Sequence, residues 1–219
     1  MIPLRSSERT YTPATVTLIL IALNVAVFFF ELSLGPWNRS RFIALYGLVP
    51  ARFHLSTLFT CMFLHGGWLH ILGNMWFLWI FGKGIEDLIG HGRFLFFYLA
   101  CGVLAGLTHV ALNIGSDVPT IGASGAIAGV MGAYLVKFPR ARIVTLVPIF
   151  IFFTTLEIPA VFLLLYWFAI QFFSGYGSIA GHIYGGDNTA WFAHIGGFVA
   201  GMLVILMMPT QQRWRRWYQ

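Results

Sequence analysis

The sequence predicts an all-α membrane protein, a bundle of six transmembrane helices with an interfacial first outer loop and both termini in the cytoplasm. Three observations carry that prediction. Of 219 residues, 58% are hydrophobic and 9% charged, with 22 Phe and 8 Trp; one soluble core of this length cannot bury so much apolar surface, whereas lipid solvates it. Apolar stretches recur at 13 to 34, 67 to 88, 93 to 114, 121 to 137, 156 to 174 and 189 to 209, each read as one span. The basic residues between them are lopsided. Arg5, Arg9, Lys83, Arg93, Lys137, Arg140, Arg142, Arg213, Arg215 and Arg216 fall on the side of the N-terminus, against Arg39, Arg41 and Arg52 on the other. The positive-inside rule then places the first, third and fifth loops outside.

Residues 1 to 12 are read as a cytoplasmic N-terminal segment, 13 to 209 as the six-helix domain and 210 to 219 as a basic aromatic cytoplasmic tail. The first apolar stretch is long enough to span and lacks a small-residue cleavage site after a short core, so it is expected to remain as the first helix. Residues 35 to 65 mix aromatics with Arg39, Arg41, Arg52 and His54 and end at Gly66-Gly67, the pattern of an interfacial loop whose short helices lie partly in the membrane. Residues 143 to 153 are apolar but too short to span once Pro148 is counted, which predicts a cytoplasmic re-entrant or interfacial turn. Glu157 and Pro159 suit the first turn of the fifth helix, by dipole and by fixed φ. The glycine-rich residues 174 to 188 read as a flexible outer loop. No period repeats along the chain.

A net charge of +6 raises the question of nucleic acid, but the arginines are dispersed between apolar segments or clustered beside Trp214 and Trp217, where they meet anionic headgroups. Membrane lipid is the expected partner and nucleic acid is not. Cys61 and Cys101 lie among apolar neighbours with no CxxC spacing, which gives no support to a disulfide or zinc site. His65 with His70 invites a metal, yet no HExxH pattern or neighbouring carboxylate completes one. The expectation is no metal and no cofactor. Of the other histidines, His54, His65 and His182 are expected at the interface, His91 on the cytoplasmic side, and His109 in a polar contact near the outer end of the third helix.

The chemistry centres on Ser124, in the run Ile121-Gly122-Ala123-Ser124-Gly125-Ala126-Ile127-Ala128-Gly129. Serine and glycine are common where membrane helices pack, and Gly125 with Gly129 makes a small-xxx-small pair, so packing alone explains the run. A functional reading arises because Ser124 opens its helix, where free N–H groups and the positive dipole end stabilise an oxyanion and neighbouring glycines leave room for a peptide. The Gly-x-Ser-x-Gly elbow of soluble hydrolases is absent. His194 opens the sixth helix, with Gly197 and Gly201 at helical spacing to face Gly125, Gly129 and Gly132; close backbones bring the imidazole to Ser124 as general base. His70 and Asn74, four apart, share one face of the second helix. They either satisfy each other structurally or, beside a nucleophile, donate to its oxyanion. His70, Ser124 and His194 each lie about 5 to 8 Å into helices that enter from the outer side. No carboxylate lies in a span near them, since Asp117 and Asp187 are in loops while Glu86 and Glu157 are cytoplasmic. A dyad is expected rather than a triad.

The segment His65-Gly66-Gly67-Trp68-Leu69-His70-Ile71-Leu72-Gly73-Asn74, then Gly122-Ala123-Ser124-Gly125, then Ala193-His194 with Gly197 and Gly201 resembles, in order and spacing, the defining motifs of the rhomboid family of intramembrane serine proteases. The similarity covers nearly the whole chain. It implies Ser124 as nucleophile, His194 as base, and His70 with Asn74 as oxyanion donors, in an enzyme that cuts a membrane protein near the outer end of its transmembrane segment. Two departures are visible. Many members carry a Trp-Arg pair in the first outer loop where this chain has Ser56-Thr57, and some stack a tyrosine on the histidine where this chain has Ala128. Another group must therefore hold the His194 ring. Glu86 matches an acidic residue of the family with a structural role.

The resulting expectation is an endopeptidase of the plasma (inner) membrane, acting on single-span or other transmembrane proteins through an acyl-enzyme. Substrates with small or helix-weakening residues near the cut are favoured, because exposing backbone in lipid is costly. Access is expected between the second and fifth helices, with Trp167, Phe168, Phe172 and Phe173 either forming a gate or simply facing lipid. Two rivals remain: a catalytically silent scaffold of the same fold that binds client helices, and a small transporter or channel with the polar residues lining a path.

Overall fold

The computed structural model describes residues 2–149, 152–180 and 191–211. The chain is mostly helical. Helix α1 (Thr15–Ser33) is followed by α2 (Gly35–Tyr46), a 3-10 turn at Pro50–Arg52, α3 (Thr57–Thr60) and a second 3-10 turn at Cys61–Phe63. The expected second span is one continuous run: α4 (Trp68–Phe77), a π-helical turn at Leu78–Gly82, and α5 (Lys83–Ile89). Helices α6 (His91–Leu112), α7 (Ser124–Lys137), α8 (Ala160–Ala180) and α9 (Trp191–Met207) complete the bundle. The tail residues Arg213, Trp214, Arg215, Arg216 and Trp217, together with His182 and Asp187, lie outside the described residues.

The architecture differs from the all-α expectation by a three-stranded antiparallel sheet, β1 (Ile2–Ser6), β2 (Arg142–Ile149) and β3 (Phe152–Pro159), in the order β1-β2-β3. The register runs Ile2↔Leu146 and Arg142↔Pro159. Residues 143 to 149, 152 and 153 therefore lie in paired antiparallel strands rather than in a re-entrant turn. Ile143 and Thr145 are fully buried while Arg142 between chain neighbours is exposed, the two-residue period of a strand, and the Ile, Val and Thr content favours a pleated surface. Glu157 and Pro159 accordingly end β3 instead of opening a helix. Pro159 has no N–H to give a ladder and takes the strand's last position, and the Ala160 N–H donates to the Ala141 carbonyl at 2.7 Å as α8 begins. Glu157 meets Arg142 across the strands at 3.7 Å, with both side chains solvent-facing.

Helix α1 is turned inside out relative to a soluble amphipathic helix. Thr17, Asn24 and Glu31 are fully buried with Leu20 and Phe28, whereas Leu18, Ile19, Phe29 and Phe30 are each more than half exposed. Polar groups inside and apolar groups outside suit an apolar solvent. Helices α1 and α6 are long and apolar enough to cross a bilayer. Exposed apolar residues continue around the bundle through Leu69 and Leu72 of α4, Phe162 and Tyr166 of α8, and Leu203 and Leu206 of α9.

The N-terminus of α1 is held by two adjacent carboxylates from α5. Glu86, fully buried, accepts the Val16 and Thr17 N–H groups at 2.8 Å each and the Thr17 hydroxyl at 2.6 Å, and its other neighbour is His91 Nδ1 at 2.5 Å. Asp87 accepts the N–H groups of Tyr11 and Thr12 and the Thr12 hydroxyl. A remote carboxylate thus does what a local cap does elsewhere, satisfying orphan donors at the positive end of the helix dipole. Gly90, at φ +88°, turns the chain between α5 and α6 in a conformation that side-chain residues rarely adopt. Glu86→Ala strips several charge-assisted bonds from a buried site. It is expected to lower unfolding free energy by about 3 kcal/mol, read as a shifted denaturation midpoint in mixed micelles.

Helix α7 is the centre of the bundle, buried on every side from Gly125 to Tyr134. Its glycines meet those of α9 backbone to backbone. A Cβ added at Gly197 would lie 2.0 Å from the Gly125 carbonyl oxygen, one at Gly201 1.9 Å from that of Gly129, and one at Gly132 2.1 Å from that of Phe198. On its other flank, Gly125 and Gly129 face Ala105 and Cys101 of α6. This close approach sets the depth and rotation of the residues at the outer ends of α7 and α9.

Candidate active site

Ser124 is the first residue of α7. The loop before it is pinned by the Gly122 N–H, which donates to the Cys61 carbonyl at 2.8 Å, and turns at Gly122 with φ +120°. His194 sits in the first turn of α9. The glycine seam brings the two together, so that His194 Nε2 lies 2.8 Å from Ser124 Oγ although 70 residues separate them. On the opposite ring edge His194 Nδ1 lies 2.6 Å from Gln171 Oε1 of α8. A carboxamide oxygen only accepts, so Nδ1 carries the imidazole proton and Nε2 is left to accept from the serine hydroxyl.

His70 and Asn74 converge on the same mouth from α4. A Cβ on Gly122 would stand 2.7 Å from His70 Nε2 and 3.4 Å from Asn74 Nδ2, so the missing side chain at Gly122 opens the space that these groups point into. The Gly66 N–H donates to His70 Nδ1 at 3.4 Å, which leaves Nε2 as the protonated nitrogen facing the site. Asn74 Nδ2 gives one hydrogen to His65 Nε2 at 3.0 Å and keeps the other for the cavity. The backbone N–H of Ser124, at the open end of α7, adds a further donor.

These residues line one cavity of about 670 Å³ between α4 and α8, with Leu69, Phe77, Met131 and Trp167 among its apolar walls. Trp167 stands 5.8 Å from the His194 ring at an interplanar angle of 42° and Trp191 meets it edge-on at 6.3 Å. The ring is thus held by Gln171 and two tryptophans, in place of the tyrosine that Ala128 cannot supply. Phe168 packs on Phe198 at 4.8 Å, whereas Phe172 and Phe173 face outward. Of the four aromatic residues read as a gate, only Trp167 reaches the cavity.

Several neighbours carry more than the sequence reading assigned. His65 is fully buried, and burial, with His70 alongside, lowers its pKa to about 4; it serves Asn74 as a neutral acceptor. Arg39 of α2 donates to the His65 carbonyl at 2.8 Å, pairs with buried Glu31 at 3.6 Å and lies over the Phe28 ring. Glu31 in turn accepts the His65 N–H at 3.1 Å. This partly buried pair anchors the first long loop to α1, the task that Ser56-Thr57 left open; Thr57 bonds locally, to the His54 carbonyl. His109 is buried on α6 with Thr120 and Asn113 as partners. Gln171 had a signal in the sequence: it is the one glutamine in an expected span, four residues after Trp167 and so on the same helix face.

The family described as the Rhomboid domain matches residues 52–211. Rhomboid protease GluP of Bacillus subtilis is 36% identical over 126 residues, covering 55% of this chain and 24% of that protein. The human presenilin-associated rhomboid-like protein, mitochondrial, is 32% identical over 100 residues, 44% of this chain and 26% of that protein. A zebrafish presenilin-associated rhomboid-like protein A, mitochondrial, is 30% identical over 146 residues, 65% of this chain and 35% of that protein. The matched stretch spans between a quarter and about a third of the length of these relatives.

Proposed function

This chain belongs to the rhomboid family, and we propose that it is an intramembrane serine endopeptidase acting through a Ser124–His194 dyad. The observation that carries the proposal is the 2.8 Å approach of Ser124 Oγ to His194 Nε2 at the N-terminus of a helix, inside a cavity edged by His70 and Asn74. As Ser124 Oγ attacks a substrate carbonyl, its proton passes to His194 Nε2. The carbonyl oxygen becomes an oxyanion that His70 Nε2, Asn74 Nδ2 and the Ser124 N–H stabilise where charge develops. His194 then returns the proton to the leaving amine, an acyl-enzyme remains on Ser124, and water activated by the same imidazole releases it.

The geometry supports a substrate helix entering between α4 and α8 and unwinding at its outer end, since helical carbonyls are already bonded and shielded. In this reading α1, α4 with α5, α6, α7, α8 and α9 are the six spans of one domain over residues 13 to 209, both termini are cytoplasmic, and the membrane is the plasma (inner) membrane. Ten of the thirteen basic residues fall on the cytoplasmic side under this topology. The chemistry needs no cofactor.

The test is cleavage of a transmembrane reporter in liposomes. Wild type is expected to cut it, and His70→Ala and Asn74→Ala are each expected to lower kcat by about 100 to 1,000-fold, the usual loss for one oxyanion donor. A wild type that binds the reporter and never cuts it overturns the enzyme reading in favour of a client-binding scaffold.

A further inference from the structure

We propose that Gln171 is a positioning residue for the base: its side-chain oxygen accepts the Nδ1 proton of His194 and so fixes the tautomer that can take a proton from Ser124. The proposal rests on the endopeptidase reading above. Its structural ground is a continuous line of hydrogen bonds, Gln171 Oε1 to His194 Nδ1 at 2.6 Å and His194 Nε2 to Ser124 Oγ at 2.8 Å, drawn from three helices.

A neutral imidazole carries one proton on either of two nitrogens, and only the form protonated at Nδ1 leaves Nε2 a base. In the other form Nε2–H donates to the serine oxygen, no base faces the hydroxyl proton, and the reaction cannot start. Gln171 decides between them because it is 6% exposed and its oxygen faces Nδ1. With the carboxamide oxygen held toward Nδ1, the wrong tautomer would set two lone pairs against each other and leave a buried acceptor unpaired, a cost typically of the size that biases an equilibrium about tenfold or more. The tryptophans against the ring cannot make this choice, since they contact its faces and edges without offering an acceptor to Nδ1.

Glutamine also suits the surroundings better than a carboxylate. In a triad the orienting group is an anion whose burial must be offset by other charges. Among the described residues, the lining of the cavity around His194 is largely apolar, and its polar members His70, Asn74, Ser124 and Gln171 include no fixed cation. A neutral acceptor supplies the orientation without burying a charge. The arrangement has the geometry of a triad with its third member uncharged.

The experiment compares wild type, Gln171→Leu and Gln171→Glu as purified full chains, by reporter kinetics and by 15N NMR of ring-labelled histidine. Gln171→Leu is expected to lower kcat by roughly 100-fold with little change in KM, as misalignment of a catalytic group does. Gln171→Glu, which keeps an acceptor oxygen, is expected to recover most of that loss. In the spectrum, wild-type His194 should show a protonated Nδ1 and a bare Nε2, and Gln171→Leu a mixture of tautomers. Gln171→Leu with wild-type kcat, a loss confined to KM, or equal losses in both variants would overturn the proposal. Should Gln171→Leu fail to fold, the wild-type spectrum decides alone, a protonated Nε2 being the contradicting result. A wild type that cleaves nothing but keeps the Nδ1 proton would sink the endopeptidase reading and leave the hydrogen-bond assignment standing.

Discussion

Ser124→Ala is expected to abolish reporter cleavage, with a loss of about 10⁴-fold or more in kcat and no loss of folded protein. Removing the nucleophile of an acyl-transfer enzyme leaves only the contribution of oxyanion donors and binding, so the residual rate sits far below wild type. The fold has no reason to suffer. Ser124 lies in the first turn of α7, where alanine is well tolerated, and α7 is held by its glycine seam rather than by the hydroxyl. His194→Ala should fall nearly as far, and the double variant no further than the worse single one, because nucleophile and base act as one unit. Equal activity in wild type and Ser124→Ala would show that the chemistry, if any, is elsewhere.

The largest structural effect is expected from Gly201→Leu. The new Cβ would lie 1.9 Å from the Gly129 carbonyl oxygen and 2.5 Å from its Cα. The obstacle is backbone on a central helix, so no rotamer change relieves it and α9 must move off α7. Overpacking a core side chain typically costs about 1 to 3 kcal/mol; against backbone the expected loss is at or above the top of that range. Because α9 carries His194, the same shift opens the contact with Ser124, and a displacement of even about 1 Å can cost about 100-fold in rate. Thermal unfolding and cleavage should therefore fall together. Gly92→Ala, where an added Cβ meets nothing within 4 Å, should leave the unfolding temperature where it is.

What could be read from the sequence followed from contrast. On apolar helices a serine, two histidines and an asparagine stand out as residues that lipid does not tolerate without a partner. The glycine spacing on two helices announces a seam before the fold is known. The helix positions were legible for a similar reason, since long apolar runs have few alternatives. The hairpin of β2 and β3 was not. Eleven apolar residues between an arginine and a glutamate are equally a buried strand pair or a membrane-associated turn, and the partner that settles the matter, β1, comes from the far end of the chain. Glu86 and Asp87 were visible as acidic residues, but not as the groups that cap α1 and hold the segment before it, some 70 residues earlier. Gln171 stood out as a lone glutamine in an apolar span, but no motif assigned it a role. Its meaning depends on α8 lying against α9, which no local spacing encodes. The same holds for the Arg39–Glu31 pair, whose members look like ordinary interfacial charges until the loop folds back on α1.

The proposed chemistry requires Ser124 to be a nucleophile activated by His194, and covalent trapping addresses that without knowledge of any substrate. Purified wild-type protein in detergent is treated with a fluorophosphonate and the adduct is located by peptide mass spectrometry. The expected result is a single phosphonyl group on Ser124, formed much more slowly in His194→Ala and not at all in Ser124→Ala. An unmodified Ser124 in folded wild-type protein, or an adduct that forms equally fast without His194, would contradict it.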